Sequence, residues 1–176
     1  MSEPFVVTFV PGVTPGKWSR IWDERMRRER LELVPAEQDA AIEALRDGRA
    51  DMALVRDVPA DDELHVIPLY RELPVVVAPK DHPVAAFESV AIDELGDETI
   101  LEGQGADTVE LVAANVGLAL MPQSVARAHS RRDVVARPVT GVPDTGIGLA
   151  WLRNNDDERT QVFIGIVRGR TVNSSR

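Results

Sequence analysis

The sequence predicts an α/β fold, and three observations near its start carry that reading. Short apolar runs at Phe5–Val10, Leu31–Val34 and Met52–Val55 are separated by segments whose apolar residues recur at helical spacing. The third run, Met52-Ala53-Leu54-Val55, is apolar throughout, as a strand is when helices cover both of its faces. The order strand, helix, strand, helix, strand is the βαβαβ pattern of a parallel sheet, and ligands of such sheets sit beyond the carboxyl ends of the strands.

Taken in order, Phe5-Val6-Val7-Thr8-Phe9-Val10 is the first strand, and Pro11-Gly12-Val13-Thr14-Pro15 is its ligand-side turn. Thr14 is placed to cap the next helix, with Pro15 at the first helical position where a missing N–H costs nothing. Trp18, Ile21, Trp22 and Met26 mark that helix's buried face. Leu31–Val34 alternates as a strand and stops at Pro35. A second helix is expected from Gln38 to Asp47, with Ile42 and Leu45 inward and Gly48 left-handed at its end.

Beyond the third strand, Val66–Tyr70 and Leu73–Ala78 are apolar runs interrupted by proline, which suits edge or crossover strands better than central ones. The second is read as the passage between two lobes. Residues 1–77 then form the first part of lobe I, 78–145 form lobe II, 146–170 return to lobe I, and 171–176 are a mobile tail. Within lobe II, Lys80-Asp81-His82-Pro83 reads as a turn and Ile92-Asp93-Glu94-Leu95 as a single helical turn. Asp107 with Glu110 has capping-box spacing ahead of Val109, Leu111, Val112 and Val116. Leu118–Met121 is a strand ending at Pro122, and Ser124 is expected to cap a short helix through His129. Val134–Val139 and Ile147–Leu152 are two more strands, the latter re-entering lobe I. Asn155 with Glu158 repeats the capping-box spacing before a last helix that buries Val162, Phe163, Ile166 and Val167.

Composition narrows the chemistry. With 44% apolar and 28% charged residues over 176 positions, the chain is an ordinary globular one, long enough to bury a core without staples. No apolar run approaches the ~20 residues of a membrane helix. Met1-Ser2-Glu3-Pro4 lacks the start of a signal peptide, so a cytoplasmic location is expected. The absence of cysteine removes thiolate catalysis, disulfides and Cys-based zinc sites. A net charge of −9 argues against direct nucleic-acid binding. Lys17, Arg20, Arg25, Arg27, Arg28 and Arg30 do crowd one segment, but a solvated helix face is the preferred account. The three histidines, His65, His82 and His129, are dispersed. No nucleophile elbow or ligand cluster accompanies them, so no catalytic residue, metal or cofactor is assigned.

Three further segments, in order along the chain, carry a resemblance. Leu45-Arg46-Asp47-Gly48-Arg49-Ala50-Asp51 resembles the "L-x-x-G-x-x-D" core of the LysR-type regulator effector-binding domain. Leu69-Tyr70-Arg71-Glu72-Leu73-Pro74-Val75-Val76-Val77, followed by Pro79-Lys80-Asp81-His82-Pro83, resembles its interlobe segment. Val109-Glu110-Leu111-Val112-Ala113-Ala114-Asn115-Val116-Gly117-Leu118-Ala119-Leu120-Met121-Pro122 is similar to its "V-x-x-G-x-G-x-x-x-x-P" helix and strand. The resemblance implies a type 2 periplasmic-binding-protein-like fold of two α/β lobes with a ligand cleft. Two departures accompany it. The family's helix-turn-helix domain is expected to be absent ahead of Phe5, and about 30 residues of lobe II are expected to be missing near 102–108.

The resemblance also implies a small organic effector, often a carboxylate, held by strand-end loops and helix N-termini, where free N–H groups favour an anion. On this sequence those places are Val13 and Thr14, Glu37 and Gln38 after the second strand, and Arg56 after the third. Lobe II supplies Gln104, Thr108 and Pro122. Alternatives stand beside several of these. Thr14 can be a plain cap, Arg56 can pair with Asp57, and Glu37 with Asp39 leaves room for a neutral or cationic ligand. Gly103-Gln104-Gly105 reads as a tight turn rather than a phosphate loop, and Trp18 and Trp22 as core rather than cleft lining. The expected function is a non-enzymatic regulatory domain that closes on an effector and pairs as a homodimer or with a full-length regulator. The alternative is a protein-interaction module with a vestigial cleft.

Overall fold

The computed structural model of the chain describes residues 2–169. In chain order the strands are β1 (Phe5–Phe9), β2 (Leu31–Pro35), β3 (Met52–Arg56), β4 (Leu64–Glu72), β5 (Pro74–Pro79), β6 (Val90–Ala91), β7 (Ile100–Leu101), β8 (Leu118–Pro122), β9 (Val134–Thr140) and β10 (Thr145–Leu152). The helices are α1 (Gly16–Arg25), α2 (Gln38–Arg46), α3 (Ala106–Ala113), α4 (Gln123–Ala128) and α5 (Glu158–Val167). Short 3-10 turns lie at Pro83–Ala86 and Ile92–Leu95. One unit runs through Tyr70 and resumes at Gly146; the other is Arg71–Thr145.

The first unit is built on a sheet in the order β2-β1-β3-β10-β4. β1 runs parallel to β2 and to β3, as the βαβαβ pattern requires, while β10 returns antiparallel to β3. The side chains of β3 point alternately to opposite faces, which accounts for its unbroken apolar run. Met52 and Leu54 join Phe5, Trp22, Leu149 and Phe163 on one face, and Ala53 and Val55 join Ala41, Leu45 and Ala150 on the other. Phe5 stacks on Trp22 at 5.1 Å between ring centroids, and Phe163 closes the cluster at 6.1 Å from each. Trp22 is fully buried and donates its indole N–H to the Glu29 carbonyl at 2.8 Å. The two tryptophans of α1 are therefore core, as the sequence indicates.

The second unit has a sheet in the order β6-β9-β5-β8-β7. β5 lies at its centre, antiparallel to both β8 and β9, with β6 and β7 parallel to their neighbours. Val75 and Val77 pack under α3 and α4, and Val76 and Ala78 pack against Val84, Val90 and Leu95.

Several expectations are corrected here. β5 is central rather than an edge or passage, because Pro74 and Pro79 fall at its first and last residues and leave the ladder between them intact. The two compact units part between Tyr70 and Arg71 and again between Thr145 and Gly146. β4, with Pro68 inside it, does lie at a sheet edge. The caps sit elsewhere than predicted. Pro15, not Thr14, precedes α1, and its carbonyl accepts from Trp18 and Ser19. α3 starts from Gly105, which puts Asp107 inside its first turn. α4 starts from Pro122, so Ser124 is within the helix. α5 is capped by Asp157, whose carboxylate accepts from Arg159 N–H at 2.9 Å, while Asn155 in turn accepts from Asp157. The predicted tail 171–176 lies outside the described residues.

Candidate functional site

In the first unit the carboxyl ends of β1, β2 and β3 open onto three loops, and two side chains tie them together. After β1 the chain turns at Gly12, whose φ of +91° is left-handed, and Val13 N–H closes onto Val10 at 3.2 Å. The Val13 side chain is buried, so that residue faces the core. Thr14 is exposed, and its hydroxyl makes no hydrogen bond among the described residues. After β2, Glu37 is extended and exposed, and its carbonyl receives Ala41 N–H to open α2.

Gln38 and Arg56 form the centre of this arrangement. The Gln38 side chain donates Nε2–H to the Arg56 carbonyl at 2.7 Å and accepts from the Arg56 N–H at 2.7 Å. A primary amide presents one donor and one acceptor side by side, so Gln38 pairs with the end of β3 as a strand residue would. The Arg56 guanidinium then reaches back and donates through Nη1 and Nη2 to the Pro11 carbonyl at 3.3 and 3.2 Å. The turn after β1, the start of α2 and the end of β3 are thus held as one frame.

Asp57 continues it. Its backbone is left-handed at φ +53°, its N–H donates to Gly146 and its carboxylate receives Gly146 N–H at 2.7 Å. Neither the Pro11 carbonyl nor Asp57 stands out in the sequence as a site residue, because both roles arise from tertiary pairing. The loops of the frame lead into α1 and α2, whose leading N–H groups have no intrahelical partner, and Glu37 and Asp39 at the start of α2 are exposed. The frame offers hydrogen-bond donors and shape.

The second-unit residues are placed separately. Thr108 is buried, and its hydroxyl is 3.5 Å from the Glu102 carbonyl, folded into the turn before α3. A Cβ on Gly103, whose φ is +97°, would lie 2.6 Å from that hydroxyl, which confirms a tight turn. Gln104 is exposed at its tip. Pro122 is buried at the end of β8, opposite Pro74.

The histidines stay apart. His65 lies against Trp151 with ring centroids 5.2 Å apart and planes tilted by 36°, His82 meets Glu98 at 3.0 Å, and His129 follows the last residue of α4. Among the described residues no group of three or more His, Asp or Glu is placed to hold a metal ion, and no helix is long and apolar enough to cross a membrane.

Comparison with known proteins agrees with this architecture. The sequence model described as LysR substrate binding domain matches residues 17–108 and 103–171, two segments that overlap at 103–108, across the turn before α3 and its first residues. The chain is 25% identical over 173 residues to the Hca operon transcriptional activator HcaR of Escherichia coli (strain K12), across 81% of this chain and 57% of that protein. It is 23% identical over 142 residues to the uncharacterized HTH-type transcriptional regulator YybE of Bacillus subtilis (strain 168), across 64% and 48%. The chain therefore spans about half the length of these relatives.

Among solved structures, a variant BenM effector binding domain matches with a TM-score of 0.81 and 19% identity, over 97% of this chain and 98% of that one. The BenM effector binding domain with its effector benzoate matches at 0.80 and 20% identity, over 94% and 90%. A mutant OxyR regulatory domain from Pseudomonas aeruginosa matches at 0.77 and 20% identity, over 98% and 100%. At these identities the likeness is one of fold.

Proposed function

The chain belongs to the LysR substrate binding domain family, and from that premise we propose that it senses a small organic effector at the strand-end frame of the first unit. The observation that carries this reading is the double hydrogen bond between Gln38 and the Arg56 backbone, with the Arg56 guanidinium on Pro11. A frame fixed in advance spares a ligand the cost of ordering three loops, which is how preorganisation contributes to affinity. Thr14 supplies the hydroxyl that is left to meet a ligand, and the first turns of α1 and α2 supply N–H donors. Gln38 acts through the frame rather than by direct contact, since both of its polar atoms are engaged. A carboxylate-bearing effector suits the donors and Arg56, and the benzoate of BenM is an example of that chemistry.

The same reading includes a regulatory rather than catalytic role, a cytoplasmic setting, and pairing with a second copy or with a longer LysR-type regulator. It also holds that lobe II is shorter than in relatives near 102–108, where the two matched segments overlap.

A thermal-shift screen against benzoate, aliphatic carboxylates, amino acids and amines, with solution mass measured alongside, tests the proposal. A saturable rise in melting temperature that Thr14→Ala weakens supports it. The absence of a shift from every compound class, with a stable dimer or a co-purifying regulator, overturns the sensing role in favour of an interaction module.

A further inference from the structure

The second unit carries a groove of about 1090 Å³ that none of the predicted ligand residues line. It lies among the end of β5, the turn that follows, the C-terminal end of α3 and the turn entering β9. Its charged lining is Lys80, Asp81, Arg131, Arg132 and Asp133, with His82 beside them.

These charges are not equivalent. Arg131 donates from Nε and Nη2 to the two oxygens of Asp133 at 2.9 and 2.8 Å, so this pair is internally neutralised. His82 accepts Val84 N–H on Nδ1 at 3.1 Å, which puts its ring proton on Nε2, facing Glu98 at 3.0 Å. Its side chain is therefore occupied. Lys80 and Arg132 differ from both. Among the described residues neither makes a side-chain hydrogen bond or ion pair, and both are exposed in the groove. Asp81 is the one groove acid left to oppose them. The lining keeps an excess of positive charge in a chain whose net charge is −9.

The surrounding backbone is fixed. Lys80 N–H donates to the Asp133 carbonyl at 2.9 Å and joins the end of β5 to the start of β9. Across from them Asn115 holds a left-handed backbone at φ +62°, a conformation that non-glycine residues seldom adopt and that Asn tolerates best. Pro79 and Pro83 add apolar surface. The volume is that of a small-molecule site, well beyond what a bare inorganic ion fills.

We propose that this groove is a binding site for a small organic dianion, with Lys80 and Arg132 as its charge partners and the proline-lined wall receiving its carbon skeleton. A phosphomonoester and a dicarboxylate share that chemistry: a lysine ammonium serves either as a point charge and an arginine fork meets two oxygens of either. All of the groove's lining residues belong to the second unit, and none is part of the strand-end frame.

The test is an amide proton–nitrogen correlation spectrum of the labelled chain, titrated with glycerol 3-phosphate, with succinate, and with potassium chloride at matched ionic strength. Saturable shifts centred on Lys80, Asn115 and Arg132 are expected with at least one dianion and not with chloride. The compound that saturates identifies the source. The double substitution Lys80→Ala/Arg132→Ala is expected to weaken binding at least ~10-fold, as the loss of charge-assisted hydrogen bonds does. It should leave the rest of the spectrum in place, because both side chains are exposed and bond to nothing else among the described residues. Shifts that chloride reproduces, shifts centred on other residues, or affinity that survives the double substitution would overturn the proposal.

Discussion

Replacing Gln38 by Ala removes both hydrogen bonds that close the end of β3 and leaves the Arg56 N–H and carbonyl without that partner. A typical intramolecular hydrogen bond contributes about 0.5–1.5 kcal/mol net, so the pair is worth about 1–3 kcal/mol. Gln38 is half-buried, and water regains part of the exposed backbone. The expected loss is therefore at the lower end, about 1–2 kcal/mol.

Equilibrium unfolding in urea, followed by tryptophan fluorescence, measures it. All three tryptophans, Trp18, Trp22 and Trp151, lie in the first unit, so the signal reports the unit that contains the substitution. With a urea slope of about 2 kcal/mol per molar, the midpoint should fall by roughly 0.5–1 M with the slope unchanged. A midpoint that does not move, combined with loss of an effector-induced thermal shift, would refute the argument. Gln38 would then be a ligand contact rather than part of a frame.

Other perturbations follow from the same geometry. Phe163→Ala opens a cavity against Phe5 and Trp22 and should cost about 3–5 kcal/mol, read by the same fluorescence titration. Gly103→Ala sets a Cβ against the Thr108 hydroxyl at a left-handed φ and should destabilise the second unit by about 1 kcal/mol or more, visible by circular dichroism but not by tryptophan fluorescence. The Arg159 side chain bonded to Asp157 holds that carboxyl below its ordinary value. A depressed folded-state pKa stabilises above the unfolded value of 3.8 and is lost as pH falls through the folded one. Asp157→Asn should therefore be less stable at neutral pH and lose less on acidification to pH ~3. Asp51 has the opposite sign, since burial pushes its carboxyl up although it accepts Val6 N–H at 2.7 Å. Asp51→Asn keeps an acceptor without a buried charge and should be at least as stable as the parent at pH ~7.

The sequence reveals most of what is local and periodic here. Trp18 and Trp22 at helical spacing, the all-apolar Met52–Val55, and Gly48 with its φ of +70° announce α1, β3 and the end of α2 before any contact is known. It misleads where two neighbouring residues compete for one role. Asp107 and Asn155 carry capping chemistry, yet Gly105 and Asp157 take the positions, because the chain entering each helix is set by what it packs against. The prolines of β5 illustrate the same limit: their residue type suggests an edge, and only the register shows that they bracket the strand. In the candidate site, Gln38 and Arg56 are legible as polar residues at strand ends. Their mutual bonding, and the reach of Arg56 to Pro11, belong to pairings across 18 and 45 positions that no local pattern encodes.

The return of β10 has a consequence for how the protein comes into being. β10 fills the position between β3 and β4, so the first sheet lacks an interior strand until residues up to Leu152 have left the ribosome. The intervening stretch Arg71–Thr145 contains every strand of its own sheet, β5 to β9, and is continuous. During synthesis at roughly 5–20 residues per second, it can complete itself while β3 still waits with an open edge. Of the two units, the one begun first is thus the one finished last, and for those seconds β3 keeps an open strand edge of the kind that pairs readily with other chains.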